Sequence, residues 1–452
     1  MSLSDLIAQL PDGSVITDPS IMEGYRQDWA KIPGAGVPLA VVRPLTTEHV
    51  QAAVRWAAAT NTPIVPRGAG TGVSGGATAV NGGIVISTER MREITVDPIT
   101  RTAVAQPGLL NAEVKKAVAA HGLWYPPDPS SFEICSIGGN VATNAGGLCC
   151  VKYGVTTDYI LGLVVVLADG RAVRLGGPHL KDSAGLSLTK LFVGSEGTLG
   201  IVTEITVRLI PAQLVQATVV ATFGSLADAC QAVLDITMKM RPSMLEFMDK
   251  ATINAVEDDM RMDLDRTAEA MLVARSDAPG DYAAVEAETM AEIFRNRNAT
   301  EVFVTDDPDE GEAFTAARRS AFHAMGKKGY VLFEDVGVAI PKLGDLVVGV
   351  EKIGLDHNVR VATVAHAGDG NTHPMIVFDE TNAAEVERAH LAFGAIMDLA
   401  IGLGGTITGE HGVGRLKKAW LPNQLGEDVM DLTRRIKNAL DPQGILNPGS
   451  VV

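Results

Sequence analysis

Cysteine is scarce. Four occur in 452 residues, Cys135, Cys149, Cys150 and Cys230, and no two have the CxxC spacing. The chain therefore offers no cysteine set for an iron–sulfur cluster or a thiolate zinc site, and a reducing compartment suits it. Basic residues are also short: 38 Lys and Arg against 54 Asp and Glu leave a formal charge of -16. That balance disfavours nonspecific binding to nucleic acid or anionic lipid, because both are negative. Long apolar runs are missing too. The most apolar stretch, Ile160 to Ala168, is strand-length and far short of a membrane span. The opening MSLSDLIAQLPDG lacks the basic-then-apolar pattern of a leader. The expectation is a cytoplasmic protein with no integral membrane segment and no nucleic-acid partner.

Glycine, in contrast, is abundant at 47 residues, which implies many tight turns or close backbone approaches. A length of 452 exceeds what one core usually supports, so two or three domains are expected. Val37 to Val42 reads as a buried strand, and Thr46 or Thr47 caps a helix reaching about Thr60. Short strands are expected at Ile64–Val65, at Ile84 to Ser87 and at Val104–Ala105, the last ahead of a helix capped by Asn111 and stopped by Gly122. Asp169-Gly170 between two strand patterns reads as a hairpin turn. Leu199 to Leu209 is a strand that ends before Pro211, where a domain boundary is placed. Beyond it, strand patterns at 215–223, 244–248 and 301–304 alternate with helical ones at 226–240 and 283–295, which suggests a sheet with helices on one face. Asp306 to Gly311 reads as an acidic turn, and Ala384 to Gly402 as a long helix.

Residues 66 to 76 pack five glycines and one arginine behind a short strand. Bare backbone lets amides approach an anion, and a diphosphate is a natural guest. No Gly-Lys-Ser/Thr follows, and no acidic residue ends a later strand at the distance a dinucleotide fingerprint requires. Ser136 to Gly147, SIGGNVATNAGG, and Gly194 to Gly200 are two further stretches of this kind. A structural turn explains each alone, whereas three together suit a large, extended cofactor held mostly by backbone.

The segment Ala365 to Pro374, AHAGDGNTHP, sets His366 and His373 on either side of GDGN. GDGN opposes a regular helix, so a strand–turn arrangement folding both imidazoles inward is expected. A second packet, TGEHGVG at Thr408 to Gly414, puts Glu410 beside His411. Imidazole and carboxylate suit zinc, manganese or iron. The residues alone leave two readings open: a divalent metal with a base to spare, or buried hydrogen-bonded histidines. Arg318 and Arg319, in a helical segment, are suited to a carboxylate or form a surface pair.

Pro66 to Ala77, Pro129 to Gly154 and Phe192 to Thr203, with the two histidine packets, resemble the FAD-linked oxidases of the vanillyl-alcohol oxidase superfamily. The match is to their D-2-hydroxyacid dehydrogenase branch, which includes the glycolate oxidase catalytic subunit, D-lactate dehydrogenase and D-2-hydroxyglutarate dehydrogenase. The resemblance runs from about residue 37 to the end. It implies an α+β fold: a two-subdomain FAD-binding domain over 1–212, a substrate domain with an antiparallel sheet and helices over 213–410, and a C-terminal helical segment over 411–452 that returns to the flavin.

By the same resemblance, Pro66, Arg67, Gly68, Ala69, Gly70, Thr71, Gly72, Ser74, Gly75 and Gly76 wrap the FAD diphosphate. Pro129, Ser130, Gly138, Gly139, Asn140, Asn144, Gly146 and Gly147 line the cofactor, and Glu196, Gly200, Ile201 and Val202 approach its adenine or ring-side groups. Asn447 closes over the isoalloxazine. No histidine lies between Arg67 and Val80, so the FAD is expected to be noncovalent. His366, His373 and Glu410 take the role of ligands to a divalent metal, zinc or manganese, and His411 that of catalytic base. Arg318 takes the second catalytic role, recognition of the substrate carboxylate: it matches an arginine of a WxxR-like segment, with Thr315 where tryptophan is frequent. No lysine stands just before Asp335, where Val331, Leu332, Phe333 and Glu334 lie, which weighs against 2-hydroxyglutarate, with Lys342 as a substitute.

The implied reaction oxidises a small D-2-hydroxy acid to the 2-oxo acid. Its electrons pass to a separate acceptor: an electron-transfer flavoprotein, a quinone, a cytochrome or an iron–sulfur subunit. Such a partner would place the protein peripherally at a membrane, and a homodimer is compatible with the reading. Two other classes compete. A metal-dependent hydrolase uses the histidine packets but leaves the glycine loops idle. A non-catalytic flavin-binding or electron-transfer subunit would bind flavin that no 2-hydroxy acid bleaches.

Overall fold

A computed structural model describes all 452 residues. The chain divides into two compact units. Met1–Gly146, Val155–Ala212 and Glu410–Val452 form the first, and Gly147–Gly154 with Gln213–Gly409 form the second.

The first unit contains a four-stranded sheet in the order Val15–Ile16, Ala40–Val42, Ile84–Ser87, Ile64–Arg67. The last three strands are parallel, and parallel strands are covered on both faces. Their side chains divide accordingly. Ala40, Val42, Ile64, Ile84 and Ile86 enter one core, and Val41, Val65 and Val85 enter another. The helix Thr47–Thr60 starts where the Thr46 hydroxyl accepts the His49 amide, and it ends at Asn61 in a left-handed conformation. It buries Val50, Val54 and Ala57 against the first core. A five-stranded antiparallel sheet completes the unit in the order Ile94–Asp97, Thr102–Ala105, Ile201–Arg208, Ile160–Val166, Ala172–Gly176.

Two local expectations for this unit are corrected. Asn111 is the first helical residue and not the cap. Its side chain turns inward, where Nδ2 donates to the Pro127 carbonyl and to Asn140 Oδ1. SIGGNVATNAGG is not an open loop: Ser136 accepts the Gly139 amide and starts a helix at Ile137–Thr143, and Asn144 closes it at φ +55°. Glu427–Leu440 is a helix within the C-terminal stretch expected to be helical. The chain after it returns to the first sheet, where the Asn447 amide donates to the Ile64 carbonyl.

The second unit is an antiparallel sheet in the order Ala299–Thr305, Ala217–Phe223, Ala270–Ser276, Met244–Asp249, Arg360–His366, Asn371–Phe378, Tyr330–Phe333, with Val336–Gly337 as a short extra strand. Helices cover both faces, not one. Val219, Ala221, Leu245, Phe247, Leu272 and Ala274 pack with helices Leu226–Lys239, Tyr282–Asn296 and Leu343–Asp356. The alternate positions Val220, Met244, Met248, Met271 and Val273 pack with Lys250–Met260 and Pro308–Gly326. A strand buried on both faces loses its polar alternation, which is why 217–223 reads as continuously apolar. The expected acidic turn is the start of the helix Pro308–Gly326: Asp307 accepts the amides of Asp309 and Glu310, and Pro308 occupies the first helical position. The short segment 147–154 joins this unit through Leu148, which lies in the second core, and through Lys152 and Tyr153, which both bind buried Asp277.

Phe294 is fully buried and meets Phe223 edge-on at 5.8 Å between centroids. Phe294→Ala should cost roughly 3–5 kcal/mol, read as a lower urea midpoint for unfolding. A midpoint within error of the parent would contradict this packing.

Candidate functional site

In the first unit, three separated segments meet around the loop that follows Ile64–Arg67. The Ser136 hydroxyl accepts the Ala69 amide at 3.2 Å while capping its own helix, so the loop and the helix start are tied together. Arg67 is buried under the loop. Its guanidinium donates to the carbonyls of Gln27 and Gly24 at 2.9 and 3.3 Å, so this side chain braces the loop from behind. The Ser74 carbonyl accepts the amides of Arg415 and Leu416, at 3.0 and 3.1 Å.

Glu196 is the node of this unit. Its carboxylate accepts the amides of Val413 and Gly414 at 2.7 and 2.9 Å. Its own amide donates to the Ala142 carbonyl, and its carbonyl accepts Asn447 Nδ2 at 2.8 Å. The segment after His411 is thus held twice, by Glu196 at 413–414 and by Ser74 at 415–416. Two glycines make this approach feasible. A Cβ on Gly412 would stand 2.8 Å from Glu196 Oε1, and one on Gly414 would stand 2.1 Å from the Ser74 carbonyl oxygen. Burial pushes the Glu196 carboxyl up to about 7, against the pull of the two amides. Glu410 and His411 lie at the head of this segment, with His411 Nε2 3.7 Å from a Glu410 oxygen.

Several residues expected along a cofactor have protein partners. Asn140 binds Asn111 and Cys135, and Asn144 Oδ1 accepts the Thr157 amide. Ile201 and Val202 pair with Val166 and Val165, and Gly200 lies against the same strand. Pro129 accepts the Phe132 amide, and Ser130 is exposed. The unit nevertheless fits a flavin nucleotide. Asn447 Nδ2 is spent on Gly76 and Glu196, while its Oδ1, like that of Asn111, is buried without a protein donor. Acceptors of that kind beside a glycine loop suit a ligand rich in hydroxyl and imide donors.

In the second unit, Arg360–His366 and Asn371–Phe378 form a hairpin, as the strand–turn expectation required. Val364 faces His373 and His366 faces Asn371, so the two imidazoles are diagonal neighbours on one face. Their rings stand edge-on at 5.0 Å, and a nitrogen of each lies within 4.8 Å of the other. Both are 3% exposed. His366 Nδ1 lies 2.9 and 3.0 Å from the two oxygens of Glu246. His373 stacks on Phe333, with Nδ1 3.4 Å from the Glu334 carbonyl and 3.7 Å from Asp335. Asp335 also accepts the Thr408 hydroxyl and the Gly409 amide, at 2.6 and 2.9 Å, directly before Glu410 in the chain. With Nδ1–H donating, each ring presents its lone pair on Nε2, which fits a borderline divalent cation.

Arg318 is buried, with Nε 2.9 Å from Glu246, whereas Arg319 pairs with half-exposed Glu312. Gly147 opens the segment that joins this unit. Lys342 ends an exposed 3-10 turn, Ile340–Lys342, in a 2.9 Å pair with Asp345. Sequence reasoning missed Glu246 entirely. The available signal was an acid in the middle of the apolar strand MLEFMD.

The chain matches two families. "FAD binding domain" covers residues 38–176, and "FAD linked oxidases, C-terminal domain" covers 213–451. It is 41% identical over 418 residues to "Glycolate oxidase subunit GlcD" of Bacillus subtilis, spanning 92% of this chain and 89% of the relative. It is 35% identical to "D-lactate dehydrogenase" of Archaeoglobus fulgidus, spanning 93% of each. Among solved structures it resembles p-cresol methylhydroxylase with substrate bound, with a TM-score of 0.83 at 17% identity over 99% of this chain and 96% of that one. At that identity the likeness concerns the fold, an α+β FAD-binding domain joined to a domain of sheet and helices.

The raised carboxyl of Glu196 has a consequence for stability. An unfolded glutamate releases its proton near 4.5 and the folded one near 7, so the folded state loses stability as pH rises through that window. Glu196→Gln does not titrate. The stability of the parent relative to this variant should fall from pH 4.5 to 7.5 by roughly 1.4 kcal/mol for each pKa unit crossed. Denaturant midpoints at several pH values read it, and a difference that does not vary with pH contradicts it.

Proposed function

The chain belongs to the FAD-linked oxidases, and from that membership we propose that it oxidises a short D-2-hydroxy acid, glycolate or D-lactate, to the 2-oxo acid. The observation that carries the reading is the combination in one chain of a flavin-binding unit with a pair of buried, Nδ1-anchored imidazoles. Bound FAD supplies the hydride acceptor and electron sink. The protein's share is to hold the acid, orient its α-carbon and take the hydroxyl proton.

We assign the proton to His411. The backbone after it is fixed to Glu196 and to Ser74, so its imidazole is carried on a rigid support. A general base placed in this way contributes about 10²–10⁴-fold. His366, His373 and Glu410 would hold a divalent cation, zinc or manganese, which would supply positive charge for the carboxylate and lower the pKa of the α-hydroxyl. The loop Pro66–Gly76 and the helix start at Ser136 would hold the diphosphate, noncovalently because no histidine lies in that loop. Asn447, tethered by Nδ2, would present Oδ1 to the cofactor. The electron acceptor is a separate protein or quinone. No helix is long and apolar enough to cross a membrane, and a cytoplasmic location is part of the same proposal.

The purified protein should be yellow. His411→Ala should keep its FAD while anaerobic flavin reduction slows by about 10²–10⁴-fold. Reduction at the parent rate removes His411 from the base role. Among D-lactate, L-lactate, glycolate, D-malate and D-2-hydroxyglutarate, we expect D-lactate or glycolate to bleach the flavin fastest, since no lysine stands just before Asp335 to meet a second carboxylate. Preferred reduction by D-2-hydroxyglutarate would overturn the short-acid assignment.

A further inference from the structure

Glu246 is an acid where the sheet should have none. It lies in the strand Met244–Asp249 between Leu245 and Phe247 and is 1% exposed. A lone carboxylate there would cost several kcal/mol. Its neighbours account for its presence. The strand pairs antiparallel with Arg360–His366 through Phe247↔Ala365 and Met248↔Val364, and one further step sets Glu246 opposite His366. Both carboxylate oxygens reach His366 Nδ1, at 2.9 and 3.0 Å. Behind it, Arg318 Nε stands 2.9 Å away, itself buried on the helix Pro308–Gly326, whose Ala317 and Ala321 pack on the same face. One negative and one positive charge are therefore buried together, and the negative one faces the imidazole.

We propose that Glu246 is a positioning residue for the metal: it fixes His366 as the Nδ1–H tautomer with Nε2 turned to the cation, and Arg318 balances its charge. This inference rests on the reading that His366 is a metal ligand. It gives Arg318, through its Nε, a role as a support behind the ligand. The physical reason is the one that applies to ligating histidines in general. A ring that donates its second nitrogen to a carboxylate has one tautomer, one orientation and a more basic lone pair, and removing that partner weakens metal binding about 10–100-fold.

The test uses the flavin-loaded protein, stripped with a chelator and titrated with Mn²⁺ and with Zn²⁺ against a chromophoric competitor. Glu246→Gln should weaken both ions about 10–100-fold, with FAD content unchanged. In a His366→Ala background the same change should add little, because the ring it positions is gone. Glu246→Asp keeps the charge but withdraws the oxygens. It too should weaken both ions, and it keeps the test open if the glutamine variant does not fold. Parent affinity in either Glu246 variant overturns the inference while leaving the metal reading intact. A parent protein that binds neither ion overturns both.

Discussion

Antiparallel pairing of Arg360–His366 with Asn371–Phe378 is the constraint from which the histidine geometry of the second unit follows. It sets Val364 opposite His373, and so brings His366 to the same face one diagonal away. A slip of one residue between the two strands would put the imidazoles on opposite faces, one of them in the core that holds Leu245 and Phe247. The turn resists such a slip. The Asp369 and Gly370 amides both return to the His366 carbonyl, and the Thr372 hydroxyl binds the Val336 carbonyl. Glu246 and Arg318 lie on the face that this register selects, and Asp335 flanks His373 from the neighbouring chain segment.

The first unit solves a different problem with backbone. A flavin nucleotide offers a diphosphate and many polar edges, and main-chain groups can approach them where side chains are absent. The same absence of side chains lets the segment after His411 lie against Glu196 and Ser74. Four of its successive amides, from Val413 to Leu416, find acceptors there. The buried carboxyl that takes two of them sits above its ordinary range. The unit keeps an acid that is costly to ionise, and that acid holds the segment after His411 in place.

Local pattern was legible where the force is local. The Thr46 cap, the turn at Asp169-Gly170 and the hairpin around GDGN all follow from residues a few positions apart. Glycine loops and histidine packets, met together, carried the family and with it the flavin. Errors arose where a distant partner decided. Asn111 would cap a helix if solvent were its alternative, but it finds Asn140 29 residues on. The glycines of 138–139 suggested a loop, yet Ser136 supplies a cap, and a hydrogen-bonded first turn outweighs their poor propensity. Continuous apolar strands were taken as one-sided because burial on the second face leaves no period to detect.

The histidines, the acid beside them, the glycines that leave backbone bare and the lack of a histidine in the first loop are properties of the residues themselves. Sequence by itself determined these, and with them the kind of chemistry the chain can perform. Only tertiary structure decided which acid serves which ring. Glu246 and His366 are 120 positions apart, and Glu196 and Val413 are 217 apart. Their pairing depends on strand order and burial, since a carboxylate becomes a partner only after the fold has removed the water that would otherwise satisfy it.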